Sequence, residues 1–152
     1  MAQTKVRPTS SKVRQAVFNI LYDISGMSFL DLFAGTGEVG FEALKRGAKE
    51  VIFVEKDKRV CSNLRKKVGS RKDNIELRCM DALSFLKKSN RKFDIIFADP
   101  PYNYRSYDKL IELSLDSLSD SGVFILEHRK EKDFNADDKR VYGETAISIW
   151  RR

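Results

Sequence analysis

The chain has few of the residues that build metal or disulfide scaffolds. Its 152 residues include two cysteines, Cys61 and Cys79, and one histidine. Two cysteines cannot make a disulfide framework and have no companions at metal-ligand spacing. Both are therefore expected as buried or half-buried free thiols, and no metal is expected. No apolar run approaches the roughly 20 residues that span a bilayer. The opening MAQTKVRPTSSKVR also lacks the apolar core of a signal peptide. Membrane and secreted classes are disfavoured, and a cytoplasmic location is expected. Repeats, low-complexity tracts and Pro/Gly/Ser linkers are missing too. Residues 1–152 therefore read as one domain, a basic segment and helix over 1–25 followed by a core over 26–152. Prolines number three, and two of them, Pro100 and Pro101, are adjacent.

What the chain does have is positive charge. Twenty-nine Lys and Arg against 22 Asp and Glu leave a net +7. That balance favours a nucleic-acid partner, because phosphate contacts supply much of such binding. A solvated basic surface is the plain alternative, so the motifs must decide.

The pattern alternates along the chain. TSSKVRQAVFNILY (9–22) has apolar residues at helical spacing, with Thr9 or Ser10 able to cap the start. Strands are expected in SFLDLF, EVIFVE, IELRC, FDIIFAD and GVFILEH, and helices in EVGFEALKRG, KRVCSNLRKKV, ALSFLKK and YDKLIELSLDSL. KRVYGETAISIWRR reads as two strands about a turn at Gly143-Glu144. Strands alternating with helices predict an α/β three-layer sandwich, Rossmann-like, whose mostly parallel sheet ends in an antiparallel hairpin. The continuous apolar strands VIFV and IIF fit burial on both faces.

Gly35-Thr36-Gly37-Glu38-Val39-Gly40 is a literal G-x-G-x-x-G between strand and helix, and Glu55 ends the next strand 20 positions after Gly35. By motif alone this is a dinucleotide loop with a ribose-binding acid. Asp31 before the loop and Glu38 within it argue against a pyrophosphate, since like charges repel. A ligand with a cationic centre and no phosphate reverses the objection, and S-adenosylmethionine is one.

DLFAGTG with its acidic strand end resembles the cofactor motifs of class I S-adenosylmethionine-dependent methyltransferases. The resemblance implies that Gly35 and Gly37 wrap the methionyl and ribose portions. It places Asp31 near the amino group, Glu55 on the ribose hydroxyls, and Asp81 and Ala82 near the adenine. Phe33 and Lys56, beside the loop and the acidic strand end, are counted with these cofactor residues.

Asp99-Pro100-Pro101-Tyr102 follows the fourth strand, where open α/β sheets bind ligands. Pro101 biases Pro100 towards extended geometry, and neither proline has an N–H. The turn is stiff and rich in acceptors, which suits an exocyclic amine on a planar base. Asp99 and the Pro100 carbonyl would hold the amine, and Tyr102 would stack on the base. Asp-Pro-Pro-Tyr also resembles the signature of amino methyltransferases acting on adenine N6 or guanine N2 in nucleic acids.

RPTSSKVRQAVFNIL, FLDLFAGTGEVGFEALKRGAKEVIFVEKD, DIIFADPPY and YGETAISIW together closely resemble the RsmD family. Its members methylate guanine N2 in bacterial small-subunit (16S) ribosomal RNA. The likeness implies that Arg7, Pro8 and Thr9 lie over the cofactor cleft and that Lys12 and Arg14 face RNA phosphates. Family members usually carry a longer basic hairpin before Arg-Pro-Thr, whereas six residues precede Arg7 here. Tyr104 and Arg105, after the proline turn, are candidates for contact with the flipped base or its neighbour. His128 is expected to be structural, and the basic helix over 56–72 to be mainly a solvated face. Free RNA, the small ribosomal subunit and an assembly intermediate all stay open as partner. Three alternatives also stand: an adenine-N6 methyltransferase on RNA or DNA, a non-catalytic RNA-binding or assembly factor, and, more distantly, an NAD enzyme.

Overall fold

The computed structural model describes residues 10–70 and 74–152. Arg7, Pro8 and Thr9 lie outside them. The elements are α1 (Ser11–Leu21), β1 (Ser28–Leu32), α2 (Glu38–Lys45), β2 (Glu50–Val54), α3 (Lys58–Val68), β3 (Ile75–Arg78), α4 (Ala82–Lys88), β4 (Phe93–Ala98), α5 (Tyr107–Asp116), β5 (Leu118–Arg129), β6 (Asp138–Tyr142) and β7 (Thr145–Arg151).

Seven strands form one sheet in the order β3-β2-β1-β4-β5-β7-β6. β1 to β5 run parallel, and β7 inserts antiparallel between β5 and β6. The expected hairpin is therefore present, with its second strand joining the sheet first. The order reverses direction at β1 and β4, whose carboxyl ends open a crevice.

Side chains on successive strand residues face opposite ways, and this divides the core in two. Phe29, Val51, Phe53, Ile95, Phe97 and Ile125 pack under Val13, Val17 and Phe18 of α1, Val39 and Ala43 of α2, and Leu64 of α3. Leu30, Leu32, Ile52, Ile96, Phe124 and Leu126 pack under Phe85 and Leu86 of α4 and Leu110 of α5. The prefixed helix is thus part of the first layer. Ser10 caps it by accepting from the Val13 N–H at 3.2 Å. No helix among the described residues is long and apolar enough to cross a membrane.

Cys61, buried on α3, and Cys79, exposed just after β3, form a disulfide with their Cα atoms 6.0 Å apart. This corrects the expectation of free thiols. α3 runs back along the sheet beside β3, so two cysteines 18 positions apart become neighbours. Sequence spacing does not show that proximity.

Candidate active site

Four carboxylates stand at the carboxyl ends of the strands. Asp31 is on β1, Glu55 follows β2, Asp81 follows β3 and Asp99 follows β4. The strand order places them in the sequence Asp81, Glu55, Asp31, Asp99 across the sheet.

Asp31 is the most constrained. It pairs in register with Phe53 and Phe97, is 1% exposed, and its Oδ2 accepts the Gly40 N–H at 3.0 Å. Burial pushes its carboxyl well above the usual carboxylate range. The Gly40 N–H opposes that rise, while the nearby Asp99 and Glu55 carboxylates add to it. A buried, incompletely compensated carboxylate suits a ligand that brings a positive charge. Position 40 has to be glycine, because a Cβ there would meet Asp31 Oδ2 at 3.0 Å and crowd the Phe53 ring still more closely.

The loop between β1 and α2 turns sharply. Phe33 (φ 59°), Gly35 (φ 60°) and Gly37 (φ 81°) all take left-handed backbone, which glycine adopts without cost and phenylalanine does not. Glu55 fastens the loop. One of its oxygens accepts the Gly35 N–H at 2.8 Å and the other the Asp57 N–H at 2.9 Å. Lys67 reaches across from α3 and donates to the Thr36 carbonyl at 2.9 Å. Arg14 of α1 holds Glu38 at 3.2 Å. Asp81 caps α4, accepting the Ser84 N–H at 3.1 Å, and Ala82 is buried behind it.

Beside this loop the chain leaves β4 through Asp99 and the two prolines. The Tyr104 N–H donates to the Pro101 carbonyl at 3.0 Å and closes the turn. Asp99 is half-buried, Pro100 buried and Tyr102 47% exposed. The Asp99 charge reaches both the Asp31 carboxyl and the Tyr107 phenol, so the turn stands close to the acids of the glycine loop.

The family model described as Conserved hypothetical protein 95 matches residues 1–151. The chain belongs to this family, the RsmD-type methyltransferases. Ribosomal RNA small subunit methyltransferase D of Haemophilus influenzae is 36% identical over 135 residues, spanning 84% of this chain and 70% of that one. A candidate methyltransferase structure from Escherichia coli superposes with a TM-score of 0.85 at 31% identity, covering 97% of this chain and 88% of its own. An RNA methyltransferase from Salinibacter ruber, solved with S-adenosylhomocysteine, matches at a TM-score of 0.74 and 17% identity over 95% of this chain and 93% of its own, which shows the shared fold. The sheet is thus the class I methyltransferase sheet.

Asp31, Phe33, Gly35, Gly37, Glu55, Asp81 and Ala82 lie at or just after the carboxyl ends of β1, β2 and β3, and Asp99, Pro100 and Tyr102 just after that of β4. Lys56 is exposed. The nucleic-acid candidates scatter more. Lys12 and Arg105 are exposed, whereas Arg14 is half-buried on Glu38, and Arg7 lies outside the described residues. Tyr104 is turned inward, edge-on to Phe33 at 5.2 Å and to Tyr107 at 5.3 Å. Its hydroxyl is buried without a hydrogen-bond partner. Burial, with the Asp81 charge and Tyr107 adding to it, pushes that phenol up to about 12. Among the described residues, no group of three or more His, Cys, Asp or Glu could hold a metal.

His128 is buried between the Arg129 carbonyl and Ser148 Oγ, each 2.7 Å from a ring nitrogen. Burial lowers its pKa, and its contacts are structural ones. Sequence reasoning missed the two clasps on the glycine loop, Lys67 and Gly40. It also missed Arg129, whose guanidinium carbon lies 5.1 Å from the centre of the Tyr102 ring. The third glycine of the motif was the available signal for Gly40; the other two are tertiary contacts with no local pattern.

Proposed function

We propose that the protein transfers a methyl group from S-adenosylmethionine to the exocyclic N2 amine of a guanine in small-subunit (16S) ribosomal RNA. The observation that carries this reading is the pairing of a buried, raised-pKa Asp31 with the Asp99-Pro100-Pro101-Tyr102 turn in one crevice. The first suits a cationic cofactor, the second a planar amine. The names of the relatives support the same chemistry: one acts on small-subunit ribosomal RNA, and one structural neighbour was solved with S-adenosylhomocysteine.

The residues present fit that cofactor. Asp31, 1% exposed, offers a buried carboxylate to the cationic end. Glu55, held rigid by two backbone N–H groups, keeps lone pairs for ribose hydroxyls. Phe33, Asp81 and Ala82 border the adenine side. When bound, S-adenosylmethionine supplies an electrophilic methyl on sulfur. Asp99 and the Pro100 carbonyl accept the two amine hydrogens, which orients the nitrogen lone pair towards that methyl. Tyr102 stacks on the base, and Asp99, or water beside it, takes the released proton. A paired guanine hides this amine, so the target nucleotide is unpaired or flipped out.

The test combines calorimetric titration with a transfer assay on small subunits. The protein should bind S-adenosylmethionine. Asp99→Ala should lose at least about a hundredfold in transfer with cofactor affinity within a few-fold. Unchanged turnover would remove Asp99 from the mechanism, and tight NADH binding without S-adenosylmethionine binding would overturn the cofactor assignment.

A further inference from the structure

β4 and β5 end at different heights. β4 stops at Ala98, opposite Leu126, while β5 continues three residues to Arg129. That extension is held by β7, with Glu127, His128 and Arg129 paired to Ile147, Ala146 and Thr145. The projecting tip brings Arg129 over the Tyr102 ring.

The tip is built rather than loose. His128 bridges the Arg129 carbonyl and Ser148 Oγ. Lys139 Nζ donates to the carbonyls of Lys130 and Lys132 at 3.0 and 2.8 Å, and the Lys130 N–H to the Glu144 carbonyl at 3.1 Å. The following turn therefore presents Arg129, Lys130 and Lys132 in a fixed arrangement, with Glu131 as the anion among them. Among the described residues, Glu131 stands 3.4 Å from the Arg129 guanidinium, with both side chains about half exposed. Exposed pairs of that kind are weak and exchange readily.

We propose that Arg129 is an RNA-binding residue of this enzyme and grips the phosphate next to the target guanosine. This rests on the proposed function, which has the target base stack on Tyr102. A guanidinium lying on that ring occupies stacking surface that the base needs. As the base arrives, Arg129 leaves Tyr102 and Glu131, and its planar fork meets two phosphate oxygens together. The residue thus couples release of the aromatic platform to capture of the backbone. Lys130 and Lys132 extend the contact along the strand. Lys130 is drawn towards Glu144 at 3.4 Å, and Lys132 lies 5.6 Å from the Tyr107 ring centre.

Steady-state transfer and RNA binding are compared for wild type, Arg129→Ala, Arg129→Lys and Glu131→Gln. Arg129→Ala should raise KM for small-subunit RNA roughly tenfold with kcat within about twofold. It should also reduce the log–log salt slope of binding by about one. Arg129→Lys should restore the slope and only part of the KM. Glu131→Gln should lower KM about twofold, an improvement that misfolding cannot mimic. Cofactor affinity should be unchanged throughout. Inactive wild type would count against the proposed function itself. Active wild type with unchanged KM and salt slope in Arg129→Ala, or a fall in kcat alone, would overturn this inference. If Arg129→Ala proves unfolded, the other two variants decide: no change in KM for either overturns it.

Discussion

In the proposed function, Asp31 exchanges stability for ligand recognition. Its carboxyl titrates higher in the folded protein than in the unfolded chain. Such a group favours the native state at low pH, and that contribution is lost as pH rises through the folded value. Without cofactor, Asp31 is therefore a liability near neutral pH. Asp31→Asn keeps the shape and removes the buried charge. It should raise the unfolding midpoint at pH 7 by about 2–4 °C for each kcal/mol relieved, and the gain should fade towards acid pH. The same variant should bind S-adenosylmethionine at least about tenfold more weakly. Thermal melts across pH and calorimetry check both halves, and a less stable variant with intact binding would contradict this role. The loop was legible at this scale, because Gly35 and Gly37 take the left-handed backbone their type allows and Glu55 accepts the Gly35 N–H. Asp31 was legible as an acid in the right place, but its burial and its bond to Gly40 belong to the folded chain.

At the scale of elements, the apolar runs VIFV and IIF locate β2 and β4, because a strand covered on both faces has no polar side to interrupt it. Ends were less legible. Phe33 reads as strand, yet it takes φ 59° to start the loop, so β1 stops at Leu32. YDKLIELSLDSL reads as a helix reaching Leu118 and GVFILEH as a strand opening at Gly122. Yet α5 ends at Asp116 and β5 begins at Leu118, running through an irregularity in its pairing with β4. The disulfide between α3 and β3 was illegible for a similar reason: helix and strand meet only after folding. Protein prepared without reductant should show no titratable thiol on denaturation, and two after reduction. Closing a loop of this length is worth roughly 3 kcal/mol, so Cys61→Ser should lower chemical-denaturation stability by up to that amount. Two free thiols in the oxidised protein would contradict the bond.

The whole molecule joins an acidic crevice to a basic body. Net charge +7 draws the chain towards RNA without selecting a base, since phosphate contacts position but do not specify. In the proposed function, selection falls to the small turn after β4, where Asp99 and Pro100 would hold an amine and Tyr102 a ring. Charge was visible in the composition. Its distribution was not: Arg14 is engaged by Glu38, Lys67 by the glycine loop, and Arg129 by Tyr102. The central claim concerns the atom that receives the methyl. Small subunits lacking their natural methylation should be incubated with the protein and labelled S-adenosylmethionine, then digested to nucleosides. The label should appear in N2-methylguanosine and vanish with Asp99→Ala. Label in N6-methyladenosine without N2-methylguanosine, or no transfer to ribosomal RNA, would contradict the account.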